Sequence, residues 1–232
     1  MFVLAEPSTG HHRHDHPRPL TIVIGMPKTG TETINAFFAC NGWKHSHQHC
    51  VTRQHGTSTT RTYCGKCMTN WVVAMSGSNI ADGHAALRST CGDFDVFSQV
   101  DWEPFGACMF PQVFYLHTLL RYLPHACFIL NTRPTAHWLR SVRGFGNMMP
   151  RLIESCPVSP QNETGLGDWY DGHKARASVA LRSARCSLEF DIEDGVGLTT
   201  HLDRFFKLNS SAKCLDLLIK TEKKEVSSRT RS

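Results

Sequence analysis

Thr21-Ile22-Val23-Ile24-Gly25-Met26-Pro27-Lys28-Thr29-Gly30-Thr31-Glu32-Thr33 runs from a β-branched apolar segment through a tight loop into a helix-compatible segment. The apolar run predicts a first strand over Leu20–Ile24. Residues from Thr31 or Glu32 to Cys40 predict the first helix, with Ile34, Phe37 and Phe38 on its buried face and Asn41-Gly42 ending it. A strand that feeds a helix through such a loop gathers free backbone N–H groups at the positive end of a helix dipole. Gly25 and Gly30 let the backbone approach a ligand closely, and Lys28 adds a full positive charge. The stretch reads as a phosphate cradle.

The position of the lysine separates two kinds of cradle. In G-x-x-x-x-G-K-[ST] the lysine follows the second glycine and a hydroxyl takes magnesium. Here Gly25 and Gly30 keep that spacing, but Thr31-Glu32 stands where the Lys-Ser/Thr pair belongs and the lysine lies inside the loop. A magnesium-dependent phosphate-loop kinase is therefore disfavoured.

Pro27-Lys28-Thr29-Gly30-Thr31 instead resembles the 5′-phosphosulfate loop of the sulfotransferases. Cys127–Arg133 reads as a second buried strand and Pro134–Arg143 as the helix after it. Arg133, Trp138 and Ser141 there follow that family's order of arginine, tryptophan and serine at its 3′-phosphate site. Leu188–Asp194 resembles the late strand and turn of a short-chain subgroup. The resemblance runs from about Leu20 to about Leu208, with the three motifs in the expected order.

The resemblance implies an α/β fold of the P-loop type, a parallel sheet with helices on both faces. It implies transfer of a sulfonate from 3′-phosphoadenosine 5′-phosphosulfate (PAPS) to a hydroxyl or amine of a carbohydrate, peptide or small molecule. Pro27, Lys28, Thr29, Gly30, Thr31 and Thr33 would then hold the 5′ side of the donor, and Arg133 and Ser141 its 3′-phosphate. Lysine and backbone dipoles would neutralise the leaving phosphate without a metal. Two departures stand out: Arg133-Pro134-Thr135 replaces Arg-Asp-Pro, and Glu32 sits beside the sulfonate position. If they abolish turnover, the alternative is an inactive nucleotide-binding relative.

The acceptor's proton needs a base, and histidine suits neutral pH. The short-chain subgroup carries a histidine at the same distance beyond the first helix as His47. Asp101, in Val100-Asp101-Trp102, matches its acidic residue after the third strand and is the next candidate. Trp138, at helical spacing, reads as core.

At 232 residues the chain can bury one α/β core, and no apolar run approaches the roughly 20 residues that span a bilayer. The net charge of +5 suits an anionic ligand, but Lys220–Ser232 alone carries five basic and two acidic residues. No interleaving of aromatic and basic residues points to nucleic acid. Residues 1–19, rich in Pro, His and Gly, read as a flexible leader, 20–208 as the catalytic domain, and 209–232 as a C-terminal helix and basic tail. The absence of an evident signal segment favours the cytoplasm, while ten cysteines favour disulfides in an oxidising lumen such as the Golgi. Cys64-Gly65-Lys66-Cys67 is the only tight pair; a zinc site there would need His45, His47, His49, Cys50 or His55 to fold back.

Further strands are expected over Trp43–His47, Asp95–Val100 and Leu188–Ile192, and further helices over Cys64–Met75, Phe110–Tyr122, Trp169–Leu181 and Leu198–Phe206. Polar Thr52–Thr62 and the Gly- and Pro-punctuated stretch Gly144–Gly167 read as loops. Asn162–Lys174, with Trp169, Tyr170 and His173, reads as an acceptor-side lid.

Overall fold

A computed structural model describes residues 18–53, 59–77, 82–208, 210 and 214. Nearly all of the leader, His55 and most of residues 209–232 lie outside it. In chain order the elements are β1 (Thr21–Val23), α1 (Thr31–Cys40), β2 (His45–Ser46), β3 (His49–Arg53), β4 (Thr59–Tyr63), α2 (Cys64–Ser76), α3 (Gly83–Cys91) and β5 (Val96–Phe97). There follow α4 (Pro111–Phe114), α5 (Leu116–Tyr122), β6 (Cys127–Thr132), α6 (Thr135–Arg143), α7 (Met148–Ser155), α8 (Glu163–Leu181), β7 (Cys186–Asp191) and α9 (Leu198–Phe206).

Five strands form a parallel sheet in the order β2-β5-β1-β6-β7. Period-two alternation then sends neighbouring residues to opposite faces. Ile22, Ile24, Phe128 and Leu130 pack with α2, α3, α5 and α8 on one side. Val23, Ile129 and Phe190 pack with α1 and α9 on the other. Burial on both faces explains why β6 is apolar without alternation over Cys127–Leu130. The chain leaves β1 toward β2 on one side and later crosses to β6 on the other. That reversal opens a crevice at the carboxyl end of β1, where the cradle loop begins.

Several segments differ from expectation. Thr52–Thr62 is not simply a loop: its two ends belong to an antiparallel hairpin, β3 with β4, in register from His49↔Tyr63 to Arg53↔Thr59. Its polarity misled, because a two-stranded ribbon outside the main sheet needs no apolar alternation. The single helix expected over Phe110–Tyr122 is two, broken at Tyr115, whose φ of −130° and ψ of 23° leave the helical region. Phe114, the last residue before the break, is 40% exposed. Gly144–Gly167 contains α7, which buries Met148 and Leu152 one turn apart. The lid reading is overturned. Asn162 caps α8 by accepting from the Gly165 N–H (3.0 Å), and Tyr170 and His173 are buried inside the body.

All ten cysteines are paired: Cys40–Cys214, Cys50–Cys64, Cys67–Cys91, Cys108–Cys156 and Cys127–Cys186. Cys64 and Cys67 therefore join different partners, which leaves neither thiolate for zinc. Cys127–Cys186 closes a separation of 59 residues between directly paired strands. Replacing both by Ala is expected to lower unfolding stability by about 4 kcal/mol on the chain-entropy account. Paired urea titrations of wild type and variant measure this.

Candidate active site

Lys28 adopts a left-handed conformation (φ 69°) and Gly30 another (φ 85°), which fold Pro27–Gly30 tightly over the end of β1. Three side chains from the β6–α6 unit hold this loop from behind. Trp138 Nε1 donates to Pro27 O (2.8 Å), Arg133 Nη1 to Lys28 O (3.1 Å) and Asn131 Nδ2 to Thr29 O (2.6 Å). In a trans peptide the N–H points opposite to the C=O. With three successive carbonyls turned toward their donors, the N–H groups of Lys28, Thr29 and Gly30 turn the other way. Helix α1 makes its first backbone bond from Ile34 N–H to Gly30 O (3.0 Å), so the amides of Thr31, Glu32 and Thr33 precede its ladder. Such a rim of unpaired amides at a helix N-terminus has the polarity that suits an anion.

Gly25 is required by close approach: a Cβ there would lie inside van der Waals contact of Asn131 Oδ1. The Thr29 hydroxyl is turned inward, donating to Met26 O (2.5 Å) and accepting from Asn131 Nδ2 (2.8 Å). Of the sequence-predicted site residues, Thr29 alone is absent from the cleft wall. Pro27, Lys28, Gly30, Thr31, Thr33, His47, Asp101, Arg133 and Ser141 all line one cleft of about 740 Å³. Lys28 Nζ lies 3.8 Å from the centroid of the Phe145 ring, and exposed Glu32 lies at the same rim.

On one flank runs a hydrogen-bonded chain. Gln99 Nε2 donates to Asp101 Oδ2 (2.9 Å), which turns Gln99 Oε1 toward the Thr31 hydroxyl (3.1 Å). The single Thr31 proton is thereby committed to Gln99. His47 Nε2, 3.2 Å from Thr31 Oγ1, must then be the N–H donor, which leaves Nδ1 as the ring's proton acceptor. Burial first, then His49 and Lys28, lower the His47 pKa to about 4, so the ring is neutral at neutral pH. Asp101 is fully buried, and desolvation followed by the neighbouring Glu103 carboxylate raises its pKa well above the usual carboxylate range. Glu103, also raised by burial, pairs with Arg151 Nη2 of α7 (3.0 Å).

On the opposite flank Arg133 donates through Nε (2.9 Å) and Nη2 to Glu193 Oε1, while Glu193 Oε2 meets His137 Nδ1. Burial raises the Glu193 pKa, but the bonds from His137 and Arg133 outweigh it and hold the group below its ordinary value. Beneath the loop, Trp138 stacks on Tyr170 with centroids 4.2 Å apart. The Tyr170 hydroxyl accepts from Arg133 N (3.0 Å) and donates to Arg133 O (3.1 Å). Trp138 is core, as its spacing indicated, and also a loop anchor. Gln99, Glu103, Arg151 and His137 were missed. Gln99 and Glu103, each two residues from Asp101, carried the available signal; Arg151 lay in a segment read as a loop.

The family model described as Sulfotransferase domain matches residues 21–158, more than half of the chain. The chain belongs to the sulfotransferase family. It is a transferase of sulfonate to an acceptor. None of the curated proteins matches it. The match covers the cradle loop, the His47 flank, Arg133 and Ser141 of this sulfotransferase; Glu193 lies beyond it. Among the described residues no helix is long and apolar enough to cross a membrane.

Two predictions follow from these contacts. Trp138→Phe keeps the stacking surface but strands the Pro27 carbonyl, at an expected cost of about 1–3 kcal/mol, read from denaturant midpoints. His173 Nε2 lies 2.8 Å from Ile24 O, and burial above all lowers its pKa to about 4. A histidine whose folded pKa is depressed contributes stability that is complete above pH 6.5 and lost as pH falls toward 4. His173→Gln is expected to remove about 3 kcal/mol of that acid-side loss, measured as the change in urea midpoint between pH 7 and pH 4 against wild type.

Proposed function

We propose that this sulfotransferase draws its sulfonate from PAPS and delivers it to a hydroxyl or amine acceptor. The observation that carries the reading is the convergence of Lys28 and Arg133, 105 residues apart, on one cleft. The donor set suits an adenosine compound anionic at two positions. Outward loop amides, the α1 N-terminus and Lys28 would hold the 5′ end, and Arg133 with Ser141 the 3′-phosphate. Gly30 also fits a close-packed cradle: besides its left-handed backbone, an added Cβ would press on Leu198 Cδ1 at 3.0 Å.

Bound PAPS supplies a sulfur centre with a phosphate leaving group, so negative charge grows on the bridging oxygen as the S–O bond opens. The anchored carbonyls fix the loop amides beforehand, and those amides with Lys28 would meet that charge, the arrangement in which electrostatic stabilisation is largest. His47 Nδ1 takes the acceptor's proton. Asp101 acts at a distance, through Gln99 and Thr31, to keep His47 in the tautomer with Nδ1 free. Because the base is neutral above about pH 4, kcat/KM holds its plateau through pH 6 and falls only on approach to pH 4. An inflection near 6.5 would assign the proton to another group.

Ten paired cysteines support an oxidising compartment over the cytoplasm. The decisive experiment is thermal-shift binding of 3′-phosphoadenosine 5′-phosphate (PAP) against ADP, ATP and GTP, followed by labelled sulfonate transfer to an acceptor panel. Selective stabilisation by PAP and transfer that drops at least about 100-fold in Lys28→Ala are expected. Stronger stabilisation by ATP would overturn the donor assignment. PAP selectivity without transfer to any acceptor would mark a binding relative without turnover.

A further inference from the structure

Arg133, proposed above as the 3′-phosphate ligand, already holds an anion from its own chain. Glu193 presents Oε1 to Nε and Nη2 of Arg133 and Oε2 to Nδ1 of His137. One carboxylate thus spans two cationic or proton-donating side chains, one at the end of β6 and one in the first turn of α6. Its side chain retains 28% exposure and lines the same cleft as Lys28. A carboxylate with two oxygens shared between two donors has the shape and charge sign of a phosphate edge.

We propose that Glu193 occupies the seat of the donor's 3′-phosphate, that the donor enters by displacing it, and that His137 joins Arg133 as a ligand to that phosphate. The inference rests on the PAPS reading and extends it to a residue pair which that reading leaves unassigned. A dianionic phosphate and a carboxylate cannot share one pair of donors without strong like-charge repulsion. The turn that carries Glu193 can yield. It runs from β7 to α9 and contains Gly195 (φ 81°) and Gly197 (φ 88°), the first with open space where a Cβ would stand. Ile192 N–H ties the start of the turn to Thr132 O (2.9 Å) and His201 of α9 meets Asp194 Oδ2 (2.6 Å), whereas Glu193 between them is held in the backbone, among the described residues, only by Asp191 Oδ1, which accepts from its N–H (2.8 Å). Withdrawal of Glu193 therefore breaks its contacts to Arg133 and His137 without disturbing the strand pairing.

The consequence is selective. A competitor for the 3′-phosphate lowers the affinity of ligands that carry that phosphate and leaves ADP, which lacks it, untouched. Calorimetric titration of PAP and ADP into wild type, Glu193→Gln and Glu193→Asp tests this. Removal of the competing charge is expected to tighten PAP by about tenfold, since apparent affinity scales with the fraction of open sites, with ADP unchanged. Glu193→Asp, too short to reach both donors, moves PAP in the same direction and serves if the glutamine variant folds poorly. In the Glu193→Gln background, His137→Ala is expected to weaken PAP several-fold and spare ADP. PAP affinity that stays constant or falls in both Glu193 variants, or an equal gain for ADP, overturns the proposal. A wild-type protein that does not prefer PAP over ADP would instead sink the donor reading itself, so the two failures are distinguishable.

Discussion

The carbonyls of Pro27, Lys28 and Thr29 are each tied to a different side chain of the β6–α6 unit, and this triple attachment is the constraint from which the site follows. A loop of this length could present either edge of its backbone to the cleft. Fixing three consecutive carbonyls on the protein side decides the matter, and the amides face outward before any ligand arrives. Such fixed dipoles need no rearrangement when charge develops opposite them. The same attachment brings Arg133 to the loop, so one guanidinium both anchors the Lys28 carbonyl and holds the Glu193 carboxylate.

Most donors in this arrangement are themselves buried and supported. Asn131 is fully buried, and Trp138 is stacked on Tyr170, which in turn bonds both backbone atoms of Arg133. The rear of the loop is thus a continuous polar network inside an apolar cluster of Met26, Phe110, Trp138, Val142 and Leu166. The flank that carries His47 works differently. Asp101 and Glu103 place two acids in low dielectric with one arginine near them, which costs stability at neutral pH. A fold selected for stability alone would replace such a cluster with apolar side chains. Its position in the cleft wall, joined through Gln99 to Thr31 and His47, sets that cost beside the proposed base.

Much of this was legible in the chain itself, for reasons that differ by segment. β1, α1 and β6 are specified by local patterns: β-branched runs, a glycine-bounded loop, and apolar residues one helical turn apart. The candidate residues Lys28, His47, Asp101, Arg133 and Ser141 were found by motif order and spacing, which survive because strand–loop–helix units keep their internal geometry. What escaped depends on contacts between distant segments. Nothing near Asn131 announces that its amide will bond Thr29, and nothing near Glu193 announces Arg133. The β3–β4 hairpin escaped because most of its residues are polar, with Cys50 alone among the described residues reaching the core, and α7 because flanking glycines and prolines outweighed one buried pair, Met148 and Leu152.

The bond between Cys127 and Cys186 lies at the opposite end of the sheet from the cleft, yet it bears on the cleft's dimensions. From that crosslink the two strands advance in step, residue for residue, to Thr132 beside Asp191. Arg133 is the next residue on one rail, and Glu193 follows two places beyond the last rung on the other. A slip of two residues would shift these side chains past one another by roughly 6.6 Å, more than a salt bridge can span. The crosslink therefore serves as the zero mark of a molecular ruler, setting from the far side of the protein how far apart an arginine and its acidic partner stand.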